Sequence, residues 1–244
     1  MESIEEIGFG GLKLIQSSEG FRFGIDAVLL ADFAAGICPG AGSIVDLGTG
    51  NGVIPLILSH KTEAGTITGI DLQAKAIELA VRSCDLNGLG ERIRFIQCDV
   101  AELQKERPEL RGTADAVVSN PPYIARGAGI TNAGDSKFLS RQETTAGIEE
   151  FTATATFLLK ERGHFFLIHR PSRLVDLFYS CRKNGLEPKM IRFVAPRQGA
   201  KPNIVLLHCV KGGGRELDFA DELYVYDEAG RYTAEIMKIY EKTR

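Results

Sequence analysis

A glycine-rich turn between an apolar strand and an apolar helix is the feature that most constrains the fold of this chain. The β-branched residues Ile44 and Val45 precede residues 46–53, which read D-L-G-T-G-N-G-V, and an apolar run continues to Leu58. Glycines let the backbone turn sharply and come close to a ligand. A strand, such a turn and a helix in this order are typical of a nucleotide-binding α/β unit. Residues 46–52 are called the glycine turn below.

The spacing of the glycine turn favours one class of cofactor. Gly48, Gly50 and Gly52 are two residues apart, whereas a dinucleotide fingerprint places its third glycine one residue later. Asp46 lies two residues before the first glycine, and its charge opposes a pyrophosphate and suits a cationic ligand. S-adenosyl-L-methionine carries a sulfonium and an ammonium and no phosphate. We therefore expect this cofactor, bound through the turn including Asn51, rather than NAD; a purely structural turn is the alternative.

Two further predicted strands end in an aspartate. Residues 66–70 lead to Asp71, and residues 93–98 lead to Asp99. Ligands of open α/β sheets bind outside the carboxyl ends of the strands. Asp71 is therefore predicted to accept both ribose hydroxyls and Asp99 the adenine amino group, with Leu72 and Val100 beside them. A helix N-cap or an exposed loop tip is the alternative interpretation for each aspartate.

A proline-rich motif follows the next predicted strand, residues 116–118. Residues 119–123 read S-N-P-P-Y, so the Asn120 side-chain oxygen and the Pro121 carbonyl can both accept hydrogen bonds from one planar NH2 group. Pro121 and Pro122 stiffen the turn, and Tyr123 can offer its ring to a flat substrate. The motif predicts a site for an amino group on a ring or an amide. A rigid strand-to-loop turn is the alternative.

Composition excludes several other classes of protein. The chain of 244 residues is 44% apolar and 25% charged, which suffices for a large core, and no apolar run approaches the length of a membrane span. Residues 1–6 are acidic and lack a signal segment, and the five cysteines include no C-x-x-C pair. These features predict reduced thiols and a cytoplasmic location. The four histidines show no metal-ligand spacing, so no metal site is predicted.

Basic residues are concentrated in one part of the sequence. Residues 160–202 contain ten Lys or Arg and three acids, a balance of +7, whereas the chain as a whole carries −3. This asymmetry favours a basic face that contacts phosphates, although such residues more often only solvate a surface. Residues 124–147 form a long glycine-containing loop, predicted either to order over a substrate or to be disordered without one. The candidate phosphate-binding residues are Arg126, Arg141, Arg170, Arg173, Arg197 and Lys201.

The order of the predicted elements indicates a Rossmann-like α/β fold. Strands and helices alternate from residue 43 to 185, which predicts a doubly wound, mostly parallel seven-stranded sheet. Predicted strands 190–194 and 204–210 have little helix between them and are expected to form an antiparallel edge hairpin. Residues 1–42 are predicted to form a hairpin and a helix packed on the core domain 43–211. The glycines at 212–214 predict a flexible break before a charged tail, 212–244.

Taken together, these motifs resemble class I S-adenosylmethionine-dependent methyltransferases that act on amino groups. The resemblance rests on the glycine turn, Asp71, Asp99 and the N-P-P-Y motif, and it spans residues 43–210. It implies that residues 43–211 form the methyltransferase domain.

A narrower resemblance is to the bacterial tRNA1(Val) adenine-N6 methyltransferase family. It rests on residues 20–30 (G-F-R-F-G-I-D-A-V-L-L), 169–174 (H-R-P-S-R-L) and 198–203. This resemblance implies methylation of the adenine 3′ of the anticodon, in an anticodon stem-loop of tRNA, with Phe23, Gly24 and Asp26 helping to close the cofactor pocket. The loop motif Arg-His-Glu of that family is Arg-Gln-Glu at 141–143 here, which is a departure from its pattern.

Three other functions fit parts of the sequence. Guanine-N2 methyltransferases of ribosomal RNA also bind an amino group on a base. Protein glutamine-N5 methyltransferases use N-P-P-Y on an amide, but the 42 residues before the first core strand leave little room for their helical N-terminal domain. A regulatory module that binds S-adenosyl-L-methionine without catalysis would not require the N-P-P-Y motif.

Overall fold

The computed structural model of the chain describes residues 2–17, 24–121 and 146–241. In these residues the strands are β1 (Glu2–Gly8), β2 (Leu12–Ser17), β3 (Ser43–Leu47), β4 (Thr66–Asp71), β5 (Ile93–Gln97), β6 (Ala114–Ser119), β7 (Leu159–His169), β8 (Leu186–Ala195), β9 (Ile204–Lys211), β10 (Asp218–Phe219) and β11 (Leu223–Tyr224). The helices are α1 (Ile25–Ile37), α2 (Val53–Lys61), α3 (Ala74–Leu86), α4 (Leu103–Glu106), α5 (Ile148–Leu158), α6 (Leu174–Lys183) and α7 (Ala234–Ile239). Short 3-10 turns cover Pro108–Leu110 and Pro171–Arg173.

The described residues contain one large sheet of nine strands. Its order is β10-β8-β9-β7-β6-β3-β4-β5, and β11 also pairs with β8. Strands β5, β4, β3, β6 and β7 are parallel, whereas β9 is antiparallel to both β7 and β8. The doubly wound α/β sheet with an antiparallel hairpin is therefore confirmed. The carboxyl ends of β3, β4, β6, β7 and β8 lie along one side of the sheet, called the C-terminal edge below.

The central strands are apolar on both faces because helices cover both faces of the sheet. Adjacent strand residues belong to different buried clusters: Phe166 packs with α1 and α2, and Phe165 packs with α5 and α6. Successive side chains of a strand point to opposite faces, so the continuous apolar runs in β3, β6 and β7 fill two cores at once. This double burial holds the C-terminal edge rigid.

The amino-terminal residues 2–17 form a β-hairpin. Strands β1 and β2 pair antiparallel, and β2 lies along α3, where the Ser83 hydroxyl accepts the Ile15 N–H at 3.0 Å. Leu14 is fully buried in the core shared with α1 and α2. In the described part of the chain, no helix is long and apolar enough to cross a membrane.

The carboxyl-terminal residues differ from the prediction. The glycines at 212–214 are expected to be a flexible break, but Gly212 and Gly213 donate N–H bonds to Gly185 and Val210 at 3.0 and 3.1 Å. Strands β10 and β11 then pair with β8 in parallel, so the sheet has more strands than the predicted seven and β8 is not an edge strand. Each strand has only two residues, which is too short to show a hydrophobic period in the sequence.

Candidate active site

The glycine turn lies at the C-terminal edge, between β3 and α2. The N–H groups of Gly48 and Thr49 both donate to the carbonyl of Ile70 on β4, at 2.8 and 3.0 Å. The φ angles of Gly48, Gly50 and Gly52 are 76°, 55° and 81°, in the left-handed region that favours glycine. The spacing of the three glycines therefore follows from the backbone path of this turn.

Asp71 at the end of β4 holds the turn in place. One carboxylate oxygen accepts the Gly50 N–H at 2.8 Å, and the other accepts the Gln73 N–H at 2.9 Å. Burial raises the pKa of Asp71, and the N–H donors of Gln73, Gly50 and Leu72 oppose that shift. A carboxylate has about four acceptor positions. The two N–H bonds leave acceptor positions on both Asp71 oxygens unused, and bonding of these oxygens to two ribose hydroxyls stays a prediction. The role of the half-buried Leu72 beside the cofactor also stays a prediction.

Three side chains of the glycine turn have buried polar atoms without a hydrogen-bond partner among the described residues. They are both carboxylate oxygens of Asp46, the Thr49 hydroxyl and the Asn51 amide nitrogen. An unpaired buried polar group costs about 1–3 kcal/mol, and native proteins contain few of them. Four such atoms in one turn therefore indicate that a polar ligand completes their bonding.

Asp46 is the most perturbed of these groups. It is fully buried, and this burial raises the pKa of its carboxyl to about 7; the Thr49 hydroxyl lowers that pKa and the nearby Asp71 charge raises it. The Thr49 hydroxyl lies near the carboxylate but outside hydrogen-bond geometry. A buried carboxylate without a counter-charge suits a cationic ligand. The chemistry of this donor set therefore fits the sulfonium and ammonium groups of S-adenosyl-L-methionine.

Asp99 follows β5 and has a structural role, which was one of the two interpretations of this residue in the sequence. One of its carboxylate oxygens accepts the Ala101 N–H at 2.9 Å, which is the capping interaction expected of the alternative interpretation. The next residue, Val100, is buried, and its carbonyl accepts a hydrogen bond from the Thr154 hydroxyl of α5 at 2.8 Å. Contacts of Asp99 and Val100 with an adenine ring stay predictions.

The N-P-P-Y motif begins directly beside the glycine turn. Strands β3 and β6 pair with Leu47 opposite Ser119, and the fully buried Ser119 hydroxyl donates to the Leu47 carbonyl at 2.8 Å. Gly48 follows the end of β3, and the half-buried Asn120 follows the end of β6. Pro121 is buried. Neighbouring strands lie ~4.8 Å apart. A ligand at the glycine turn and a substrate at Asn120 would therefore be adjacent.

Five of the predicted site residues lie outside the described part of the chain. They are Phe23, Pro122, Tyr123, Arg126 and Arg141. Gly24 is the exposed residue before α1, and Asp26 lies in the first turn of that helix. Because α1 leads back to the start of β3, its first turn lies at the C-terminal edge. This is where residues that close the cofactor pocket are required, and their binding role stays a prediction.

The basic stretch does not form the single face that the sequence predicts. Lys160 and Arg162 lie at the start of β7, and Arg170 follows the end of this 11-residue strand, so they belong to opposite edges of the sheet. Within the described part of the chain, five of these basic residues form ion pairs: Lys160 with Asp115, Arg173 with Asp176, Arg182 with Glu187, Lys183 with Glu149, and Arg192 with Glu235. The four described phosphate-binding candidates follow β7 or β8 at the C-terminal edge: Arg170, Arg173, Arg197 and Lys201.

Two residues near the site carry no clear signal in the sequence. Phe151 of α5 lies under the glycine turn, since a Cβ atom on Gly48 would be 3.4 Å from its ring. His169 is buried at the end of β7, where its Nδ1 accepts the Arg170 N–H at 2.8 Å. Burial, with the charge of Arg173, lowers the pKa of His169 to about 4, so the ring is neutral at pH 7. His169 therefore packs at the end of the strand as a neutral side chain.

Metal ligands and disulfides are not found in the described residues. No group of three His, Cys, Asp or Glu side chains there is arranged to hold a metal ion. All five cysteines are free thiols, and burial raises the pKa of Cys38, Cys84 and Cys98.

Comparison with known proteins identifies the family. The family model for the methyltransferase small domain matches residues 25–175. The chain belongs to the methyltransferase small domain family. This match begins at α1 and includes the glycine turn, Asp71, Asp99 and the N-P-P-Y motif. The resemblance to methyltransferases drawn from the sequence is therefore confirmed.

Individual proteins are similar to this chain over different shares of its length. A tRNA1(Val) (adenine(37)-N6)-methyltransferase from Porphyromonas gingivalis is 27% identical over 240 residues, 96% of this chain and 92% of the relative. A release factor glutamine methyltransferase from Chlorobaculum tepidum is 39% identical over only 82 residues, 34% of this chain and 28% of that protein. The solved structure of a predicted O-methyltransferase from Agrobacterium tumefaciens is similar in fold, with a TM-score of 0.71 and 24% identity over 88% of this chain and 95% of its own.

Proposed function

We propose that this protein transfers the methyl group of S-adenosyl-L-methionine to the N6 atom of an adenine in tRNA. The observation that carries the proposal is the juxtaposition of two half-sites one strand apart. The glycine turn buries the unpaired carboxylate of Asp46, and Asn120 begins the N-P-P-Y motif on the neighbouring strand. The first half-site suits a cationic donor, and the second suits an amino group that accepts the methyl.

The substrate class is supported by the relatives. Proteins named tRNA1(Val) adenine-N6 methyltransferases align over 90% and 96% of this chain. The glutamine methyltransferase aligns over about a third of it. The finer proposal is that the target is the adenine 3′ of the anticodon, in a cytoplasmic tRNA whose anticodon stem-loop contacts the C-terminal edge.

The chemistry assigned to the chain is mainly positioning. S-adenosyl-L-methionine, when bound, supplies a methyl group on a cationic sulfur. The side-chain oxygen of Asn120 and the carbonyl of Pro121 would accept hydrogen bonds from both N–H groups of the adenine amine. These two bonds favour a pyramidal nitrogen whose lone pair is directed toward the donor.

The chain needs no strong base in this scheme. The amine proton becomes acidic only after the nitrogen has gained its fourth bond, so water can remove it. Tyr123, which follows the turn, would stack on an adenine held out of its helical stack. The bases of an anticodon loop are single-stranded, so moving the adenine out of the stack requires little free energy.

The identity of the methylated product tests the proposal. The protein is incubated with methyl-labelled S-adenosyl-L-methionine and, in separate reactions, with unmodified tRNA, ribosomal RNA and a release factor, and the products are digested. We expect N6-methyladenosine in the tRNA reaction, and its loss when the adenine 3′ of the anticodon is replaced by guanine. Label in guanosine would support the ribosomal RNA alternative, and label only in protein would contradict a nucleic-acid substrate.

A further inference from the structure

The C-terminal residues form a stack of aromatic rings that runs from the core to the surface. Tyr226, Tyr232 and Tyr240, called the tyrosine stack, have ring centroids 5.4 and 5.7 Å apart with interplanar angles of 18° and 15°. Tyr240 continues onto Phe9 of the hairpin at 6.2 Å and 24°. Phe9 is 2% exposed, whereas Tyr226 is 42% exposed. The stack is therefore fixed at its inner end and presents a ring to solvent at its outer end.

The exposed end of the stack lies at the C-terminal edge. Strand β11 pairs in parallel with Val194 and Ala195 of β8, and β8 runs in the same direction as β7. The Tyr226 N–H donates to the Pro196 carbonyl at 2.8 Å, so the backbone of Tyr226 adjoins the loop between β8 and β9. Four strand spacings separate β11 from β6. At ~4.8 Å each, Tyr226 is about 19 Å from the end of β6, within the width of a folded RNA.

The charged side chains around Tyr226 are of both signs. Arg197 and Lys201, in the β8–β9 loop, are exposed and form no ion pair with any described residue. Two nearby acids form ion pairs, Asp227 with Arg231 at 3.0 Å and Glu235 with Arg192. Glu222 accepts a hydrogen bond from the neutral Tyr224 hydroxyl at 2.8 Å and keeps its charge. The exposed Glu228 forms no ion pair with a described residue. The surface thus combines one presented ring, two exposed cations next to it in the β8–β9 loop, and acids that are not ion-paired.

We propose that Tyr226, Arg197 and Lys201 form a second RNA contact, in which an unpaired base stacks on Tyr226 and the two cations bind its flanking phosphates. A stacked base and a basic neighbour are the usual elements of single-strand recognition. This inference rests on the proposed function, since it assigns another part of the same RNA substrate to the chain. It also gives the C-terminal residues a role in substrate binding that is separate from their packing.

Substitutions that separate stacking from charge test the contact. Tyr226→Ala should weaken the Kd for unmodified tRNA by roughly 5- to 150-fold, whereas Tyr226→Phe should stay within about twofold, because stacking needs only the ring. Tyr179→Ala is the matched control, since Tyr179 is an exposed tyrosine on α6. The pair Arg197→Ala and Lys201→Ala should reduce the slope of log Kd against log salt by roughly 1.4–1.8, and Tyr226→Ala should leave that slope unchanged.

A fluorescence measurement reports the contact even if the alanine variant is unstable. The chain contains no tryptophan, so Tyr226→Trp introduces a single indole in place of a similar ring. Titration with tRNA should quench its emission, and Tyr179→Trp should not respond.

The outcomes distinguish this inference from the proposed function. If the wild-type protein methylates tRNA but Tyr226→Ala binds it as tightly as Tyr179→Ala does, the second contact is wrong and the activity stands. The same conclusion follows if tRNA does not change the indole emission of the Tyr226→Trp variant. If the wild-type protein modifies no RNA at all, the proposed function itself is wrong.

Discussion

At the scale of single residues, burial of the Asp46 carboxyl carries a large electrostatic cost. Its pKa is raised from 3.8 to about 7 by burial, so the folded protein binds this proton more tightly than the unfolded chain. A carboxyl of this kind reduces stability increasingly as pH rises from its unfolded pKa to its folded pKa. A fully unfavourable shift of this size corresponds to ~4 kcal/mol above pH 7.

Replacing Asp46 by asparagine should therefore stabilise the ligand-free protein at high pH. We expect the free energy of unfolding of Asp46→Asn to exceed that of the wild type by up to about 4 kcal/mol at pH 8, and by little near pH 4. Urea denaturation at both pH values measures this. Asp85→Asn, on the exposed surface of α3, is the control. A difference that does not change with pH would contradict the assignment.

The same carboxyl should make cofactor binding pH-dependent. A bound cation lowers the pKa of Asp46, so binding releases a proton below pH 7 and affinity falls as the carboxyl becomes protonated. We expect the Kd for S-adenosyl-L-methionine to rise by up to about tenfold per pH unit below 7. Calorimetric titration in buffers of different ionisation enthalpy measures both the Kd and the released proton. Asp46→Asn should bind weakly at every pH; a pH-dependent Kd in that variant would point to another group.

Asn120 should affect turnover and leave cofactor affinity almost unchanged. Removing its side-chain acceptor in Asn120→Ala should lower kcat by about 100- to 1,000-fold, the effect of losing one preorganised polar group in other enzymes. Asn120→Asp keeps an oxygen acceptor in the same place and should retain more activity than the alanine variant. Steady-state methylation kinetics, with the cofactor Kd measured separately, decide this. Near-normal turnover in Asn120→Ala would reject the role given to the motif.

At the scale of secondary-structure elements, the glycine turn joins β3 to α2 and contacts β4 and β5. Gly52 precedes α2 with φ 81°, and a Cβ atom there would lie 2.9 Å from the Phe95 ring of β5. Gly88, after α3, has φ 66° and nothing within 4 Å of its Cβ position. The two glycines share a backbone requirement and differ in crowding.

Alanine substitution at these two glycines should separate strain from overlap. Gly88→Ala should lower the free energy of unfolding by roughly 1–2 kcal/mol, the cost of a left-handed non-glycine residue. Gly52→Ala should lower it by roughly 1–3 kcal/mol more, because the Phe95 ring must move. Denaturant unfolding of the two variants gives the comparison. Equal losses would show that the Phe95 contact relaxes without cost.

The sequence predicted the elements best where long segments repeat one pattern. The apolar strands ending in Asp46-Leu47, Asp71 and Ser119 were predicted to be parallel. In the structure the first of them lies between the other two, which brings Asn120 beside the glycine turn. The ion pairs of residues 160–202 could not be predicted, because partners such as Glu235 are distant in sequence and come together only in the folded chain. Phe151 was missed for the same reason: an apolar residue on a helix face does not reveal which turn it supports.

At the scale of the whole molecule, the C-terminal residues belong to the same core as the sheet. Leu223, Val225, Ile236 and Ile239 are buried in the cluster that contains α1, α2 and the hairpin. Glu241 accepts hydrogen bonds from His60 and Lys61 of α2 at 2.8 and 3.1 Å. These four apolar residues are interspersed with many charged residues in the sequence. Composition alone therefore predicted a charged tail after a flexible break.

Truncating one buried side chain of α7 should therefore destabilise the whole protein. Ile236→Ala should reduce the free energy of unfolding by about 2–5 kcal/mol, whereas Lys238→Ala on the exposed face should change it by less than about 0.5 kcal/mol. Thermal unfolding followed by circular dichroism should show one transition in both variants. A separate low-temperature transition in Ile236→Ala would mean that the C-terminal segment unfolds independently of the sheet.

The ring contact between Phe9 and Tyr240 spans 231 positions of the chain, from Tyr240 back to Phe9. Ribosomes add about 5–20 residues per second, so the hairpin emerges roughly 10–50 s before its aromatic partner exists. During that interval an apolar surface made early in synthesis stays uncovered, and chaperones that recognise nascent chains have time to engage it.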